Sequence, residues 1–96
     1  MNYLNYTYAK LKEAGLVSNL NDYSTRYLLK CESYARSYRA RQKDLTLQTM
    51  IVLTARIDKT ANNLIGSNVD TGLGDDLKKL AMDLSTAVYD KALSSK

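Results

Sequence analysis

The chain contains no proline and only four glycines in 96 residues. Proline inside a helix removes a hydrogen bond and clashes with the preceding turn, and glycine there costs about 1 kcal/mol relative to alanine. A chain nearly free of both has little to interrupt its helices, and the spacing of its apolar residues agrees. Leu4, Tyr8 and Leu11 recur at helical intervals over 2–14, and Gly15 stands where that helix can end. A second helix is predicted over 21–29, with Asn21 or Asp22 as N-cap and Tyr23, Tyr27 and Leu28 on one side. A third covers 32–42, capped by Ser33, with Tyr34, Ala35 and Tyr38 as a narrow apolar stripe.

The fourth helix has the clearest pattern. From a Thr46 cap to about Asn63, the residues Leu47, Met50, Ile51, Leu53, Thr54, Ile57 and Ala61 repeat the three-four spacing of a buried face. A loop is expected over 66–74. A fifth helix is then predicted from near Asp75 to about Leu93, with Leu77, Leu80, Ala81, Leu84, Val88 and Leu93 on its apolar side. No strand-like alternation persists, and no internal repeat is visible. The expected fold is all-α, a compact bundle of about five helices in a single domain. Residues 1–65 form its core, and 66–96 add the loop and a C-terminal amphipathic helix.

Several function classes are disfavoured. The chain is 45% hydrophobic and 25% charged, with a mean hydropathy of −0.38, ordinary values for a soluble globular protein. No apolar run reaches bilayer-spanning length, and the N-terminal MNYLNYTYAKLKEAG lacks the apolar centre of a signal peptide. A cytoplasmic location without a membrane partner is the expectation. Cys31 is the only cysteine, so an internal disulfide is impossible, and a small part-buried side chain at a helix junction is expected. There is no histidine, which removes the commonest general base and leaves zinc no plausible ligand set. The GSNVDTGLG stretch lacks the Gly-Lys-Ser/Thr ending and the preceding strand of a phosphate loop. The Asp75–Asp76 pair sits at a predicted helix start, where acids favour the macrodipole. No enzyme activity, metal, cofactor or small-molecule substrate is expected.

Charge is placed unevenly. Residues 1–22 carry two basic and two acidic groups, while 44–96 carry six basic and seven acidic. Between them, 23–43 carry Arg26, Lys30, Arg36, Arg39, Arg41 and Lys43 against Glu32 alone, a net +5. A basic face kept for solubility alone is usually mixed, whereas concentration on one element is the footprint of a polyanion partner. A merely solvated basic helix is the bland alternative.

On a helical wheel the third helix turns Tyr34, Ala35 and Tyr38 inward and spreads Ser33, Arg36, Ser37, Arg39 and Gln42 outside. Arginine forks onto guanine or phosphate, and serine and glutamine are adaptable partners. The helix's first turn offers free backbone N–H groups, and Arg41 and Lys43 follow in the exit loop. With neither Phe nor Trp present, tyrosine must supply all aromatic bulk. Tyr8, Tyr23, Tyr27 and Tyr38 are expected in the core, while Tyr34 reads equally as core or as a platform for an unpaired base.

From Asn21 to Ile57 the order is short helix, tight turn, basic helix, polar loop, long amphipathic helix. This stretch, NDYSTRYLLKCESYARSYRARQKDLTLQTMIVLTARI, resembles the core of lambda-repressor-like (Cro/C1-type) helix-turn-helix DNA-binding domains. It covers roughly two-fifths of the chain. Tyr23 falls where that family buries an apolar residue, and Ser24 where it needs a small one against the third helix. Ser33 begins the recognition helix, Ala35 and Tyr38 anchor it, and QKDLTLQTMIVL matches the loop and the next core helix. The turn, Leu28-Leu29-Lys30-Cys31, has no glycine where the family uses one, and carries one residue more.

The resemblance implies that the third helix enters the major groove of double-stranded DNA. Ser33, Tyr34, Arg36, Ser37 and Arg39 would lie nearest base edges, and Arg26, Lys30, Arg41 and Lys43 on phosphates. A homodimer through the C-terminal helix would read a palindrome; the fifth helix folding back onto its own domain is the alternative. The expected function is a small transcriptional regulator. The rivals are a non-enzymatic phage or mobile-element protein that uses this helical scaffold to bind another protein, and a binder of RNA or single strands.

Overall fold

The computed structural model describes residues 2–67 and 71–94. It is all-α, as expected, with α1 at Tyr3–Glu13, α2 at Leu20–Arg26, α3 at Tyr34–Ala40, α4 at Leu47–Ser67 and α5 at Thr71–Ser94. Packing divides the chain into two compact units, Met1–Thr46 and Leu47–Lys96. No helix among the described residues is long and apolar enough to cross a membrane.

The first unit holds three short helices with carefully closed ends. Asn2 caps α1 by accepting from Asn5 N–H at 2.9 Å. Asp44 closes the same end: its Oδ1 accepts from Leu4 N–H at 3.0 Å and from Leu45 N–H at 2.7 Å. The carboxylate thus satisfies an amide that the helix leaves unpaired, and its charge suits that terminus. At the other end Gly15 takes a φ of 77°, while Gly15 N–H donates to Lys12 O and Leu16 N–H to Leu11 O, both at 3.0 Å. This is the Schellman closure that glycine makes without steric cost.

Helix α2 starts earlier than the sequence suggested. Asn19, not Asn21 or Asp22, is its N-cap and accepts from Asp22 N–H at 2.9 Å, while Asp22 reaches back to Ser18 N–H at 3.1 Å. All three residues have capping chemistry, and only Asn19 has an acid three positions on, whose carboxylate accepts from the N–H just before the cap. The helix also ends earlier, at Arg26. Leu28 N–H then donates to Tyr23 O at 3.2 Å and Lys30 N–H to Ser24 O at 3.0 Å, a widened end that absorbs the extra turn residue. Leu29 occupies the left-handed region there, with φ 55°.

Helix α3 spans seven residues rather than the whole of 32–42. Ser33 precedes it without a side-chain cap bond. It closes in a second Schellman turn, with Gln42 N–H donating to Arg39 O at 3.0 Å and Lys43 N–H to Tyr38 O at 2.9 Å. Gln42, at φ 55°, stands where Gly15 stands in the first.

The buried residues of this unit include Leu4, Leu11, Val17, Tyr23, Tyr27, Leu28, Ala35 and Leu45. Two polar ties run among them. Tyr23 OH and Thr7 Oγ1 hydrogen-bond at 2.6 Å, both residues fully buried. Burial pushes the Tyr23 phenol far above its ordinary range; the Thr7 bond opposes that shift, and the fields of Asp44 and Tyr34 add to it. Ser24 Oγ donates to Leu20 O and accepts from Ala35 N–H, each at 2.9 Å, so this small buried residue joins α2 to the start of α3.

The second unit is a hairpin. Gly74 lies against Ile65 and Ala61, and Lys78 pairs with Asp58 at 2.7 Å, so α4 and α5 run antiparallel. Met50, Leu53, Ile57 and Ala61 are buried on α4, and Leu77, Leu80, Ala81, Leu84 and Ala87 on α5. Ile51 is 51% exposed and Leu93 69% exposed, although the sequence spacing places both on apolar faces. Ile51 lies one residue, or 100°, past Met50, off the stripe of buried positions. Leu93 sits in the last turn of α5.

The loop expected over 66–74 is mostly helix. Gly66 and Ser67 end α4, Thr71 to Gly74 begin α5, and residues 68–70 lie outside the described residues. A Cβ on Gly74 would come within 2.6 Å of Ile65 Cγ1 and 3.3 Å of Ala61 O. The absent side chain therefore lets the two helices approach, and packing outweighs glycine's poor helix propensity. The earlier start moves Asp75 and Asp76 into the second turn of α5.

Candidate nucleic-acid interface

The first unit spreads its predicted contact residues over one short element and its flanks. Arg26 ends α2, Lys30 and Ser33 lie in the turn, Arg36, Ser37 and Arg39 on α3, and Arg41 and Lys43 just after it; all are exposed. Cys31 is exposed too, not part-buried, with Sγ 3.6 Å from Ser33 Oγ. The widened end of α2 puts it on the outside of the turn.

The tyrosines divide. Tyr23 and Tyr27 are buried as expected, but Tyr8 and Tyr38 are only half-buried, as is Tyr34. With Ala35 the innermost residue of α3, Tyr34 and Tyr38 lie about 100° and 60° round the helix from it, at the edge of the buried face. There Tyr34 and Tyr38 stack on one another, centroids 4.3 Å apart and planes 24° apart. The Lys30 ammonium lies 5.7 Å over the Tyr34 ring and the Arg41 guanidinium 5.1 Å over that of Tyr38. No cation fits between rings so close, so each covers an outer face. The result is a column of Lys30, Tyr34, Tyr38 and Arg41.

Tyr8 forms a second seat. Its ring is tilted against Tyr23 at 5.5 Å, with Arg39 from α3 at 5.9 Å and Lys12 from α1 at 5.8 Å. Lys10 lies 5.9 Å over Tyr6. A cation over a ring face is held by the ring quadrupole, worth about 0.5–1 kcal/mol at an exposed site. Among the described residues none of these five cations is in a salt bridge. A carboxylate would order them and cancel their charge; a tyrosine orders them and leaves the charge intact. Lys10 and Lys12 escaped the charge count because 1–22 sum to zero. The signal that finds them is the i,i+4 spacing Tyr6–Lys10 and Tyr8–Lys12, repeated in reverse at Lys30–Tyr34.

The first turn of α3 differs from expectation. Tyr34 N–H donates to Cys31 O at 3.1 Å and Ala35 N–H to Ser24 Oγ at 2.9 Å, so these two amides are used within the fold. Positive charge at this face comes from side chains.

Fold and surface together define a small all-α protein with ring-seated cations on its N-terminal unit. The chain belongs to the family described as Family of unknown function (DUF6626), whose model matches residues 4–95. Neither the curated proteins nor the solved structures yield a match to it.

Proposed function

We propose that this protein is a small cytoplasmic DNA-binding regulator that engages duplex DNA through α3 and the turns on either side of it. One observation carries the reading: Lys30, Arg39 and Arg41 are held on tyrosine rings, and among the described residues none of the three is in a salt bridge. They are preordered and uncompensated, the condition in which phosphate binding gains most from counterion release. In this reading Ser33, Tyr34, Arg36, Ser37 and Arg39 approach base edges, and Arg26, Lys30, Arg41 and Lys43 meet phosphates. Both faces of Tyr34 and of Tyr38 are already covered, which favours phosphate contact over stacking of an unpaired base.

Pairing of two copies would use α5. Much of its predicted apolar side is buried within the hairpin, and Met82, Tyr89 and Leu93 stay exposed at helical spacing. The same exposed residues support the second reading, a protein partner on this scaffold.

The test is a titration of a fluorescent random-sequence duplex at two salt concentrations, with wild type and Arg36→Ala/Arg39→Ala. Affinity should fall steeply with salt, and the variant should bind more weakly, with a slope shallower by about 1–2. Absence of wild-type binding at low salt ends the DNA reading and turns attention to α5.

A further inference from the structure

The sequence places all excess charge in 23–43, yet the fold brings a lysine from outside that segment to the same surface. Lys12 on α1 and Arg39 on α3 both sit within 6 Å of the centre of the Tyr8 ring. Among the described residues neither is in a salt bridge, and both are exposed. Two positive charges seated at one ring, neither neutralised by an acid among the described residues, make it a favourable place for an anion.

Tyr8 is itself tied to the interior. Its ring rests on that of Tyr23, whose hydroxyl is bonded to Thr7 in the buried core. The seat is therefore fixed by the fold, and less side-chain freedom is left to lose on binding. Lys10, two residues before Lys12, points about 200° away around the helix and rests on Tyr6 instead. It has the same charge, the same helix and a similar ring, but not the neighbouring arginine.

We propose that α1 is part of the DNA-binding surface: Lys12 takes a backbone phosphate flanking the groove that α3 enters, and Tyr8 is the positioning residue for Lys12 and Arg39. This rests on the DNA reading above, and the experiment separates the two. Duplex affinity of the full chain is measured across a salt series for wild type, Lys12→Ala, Lys10→Ala, Tyr8→Phe and Tyr8→Leu, with far-UV circular dichroism to verify folding.

Lys12→Ala should weaken low-salt binding about five- to tenfold and reduce the salt slope by about one, while Lys10→Ala stays near wild type. Tyr8→Phe keeps the ring and should match wild type. Tyr8→Leu should move toward Lys12→Ala; should it fail to fold, the two lysine variants alone decide. Equal losses for Lys12→Ala and Lys10→Ala would mean that only net charge counts, overturning the role of α1 while DNA binding stands. A wild type that ignores duplex at low salt overturns both.

Discussion

The two units of this chain are built on opposite plans. Met1–Thr46 has helices of 11, 7 and 7 residues and eight basic groups against four acidic, a net +4. Leu47–Lys96 has helices of 21 and 24 residues and six groups of each sign. Helices of two turns are marginal by themselves, so the first unit depends on capped ends, left-handed turns and the buried ties of Ser24 and Thr7–Tyr23. The second relies on one long apolar stripe, to which the half-exposed Asp58–Lys78 bridge adds less than about 1 kcal/mol. The specific polar ties and the net charge are thus concentrated in the unit whose helices are least able to stand alone.

The largest effect expected from this contrast is in the hairpin. Leu84 is fully buried, and Leu84→Ala should cost about 3 kcal/mol in urea denaturation through lost burial and the cavity left behind. Ser24→Ala removes far less volume but strands the Ala35 N–H, so about 1–2 kcal/mol is expected. A loss below a few tenths would mean that the Ser24 tie does not hold α3, and the contrast would collapse.

Tyr23→Phe probes the other tie and should cost about 1 kcal/mol at neutral pH. Its sign with pH is definite. Burial raises the folded phenol above its ordinary 10.0, so its contribution is complete below pH 10 and declines as pH climbs beyond that. Wild-type stability should therefore fall faster in alkali than that of Tyr23→Phe, as melting temperatures across pH 8–11.5 would reveal.

The smallest effects concern the helix ends. Gly15 has nothing within 4 Å of its missing Cβ, so Gly15→Ala should cost about 1 kcal/mol through its positive φ alone. Gln42→Gly, the reverse change in the same motif, should gain a few tenths to 1 kcal/mol. Equal and near-zero shifts for both would show that the left-handed closures contribute nothing to the first unit.

Legibility follows the same division. The stripes of α4 and α5 could be read directly, because Met50, Leu53, Ile57 and Ala61 repeat one spacing over several turns. The start of α5 could not, since glycine's propensity argues against a helix at Gly74 until its close approach to Ile65 and Ala61 is known. In the first unit Asn19, Asn21 and Asp22 compete for one cap, and only the fold chooses. The basic residues around α3 were visible as composition. Their seats on Tyr34 and Tyr38 were half-visible as helical spacing. The seating of both Lys12 and Arg39 on Tyr8 joins distant sequence, and no local pattern encodes it.

The exposed Cys31 has a practical consequence. As the chain's one thiol, on the outside of the turn beside Lys30, it is a single attachment point for a maleimide dye and needs no mutagenesis. The same exposure lets two copies join through an intermolecular disulfide in air, so a dimer seen without reductant says nothing about α5.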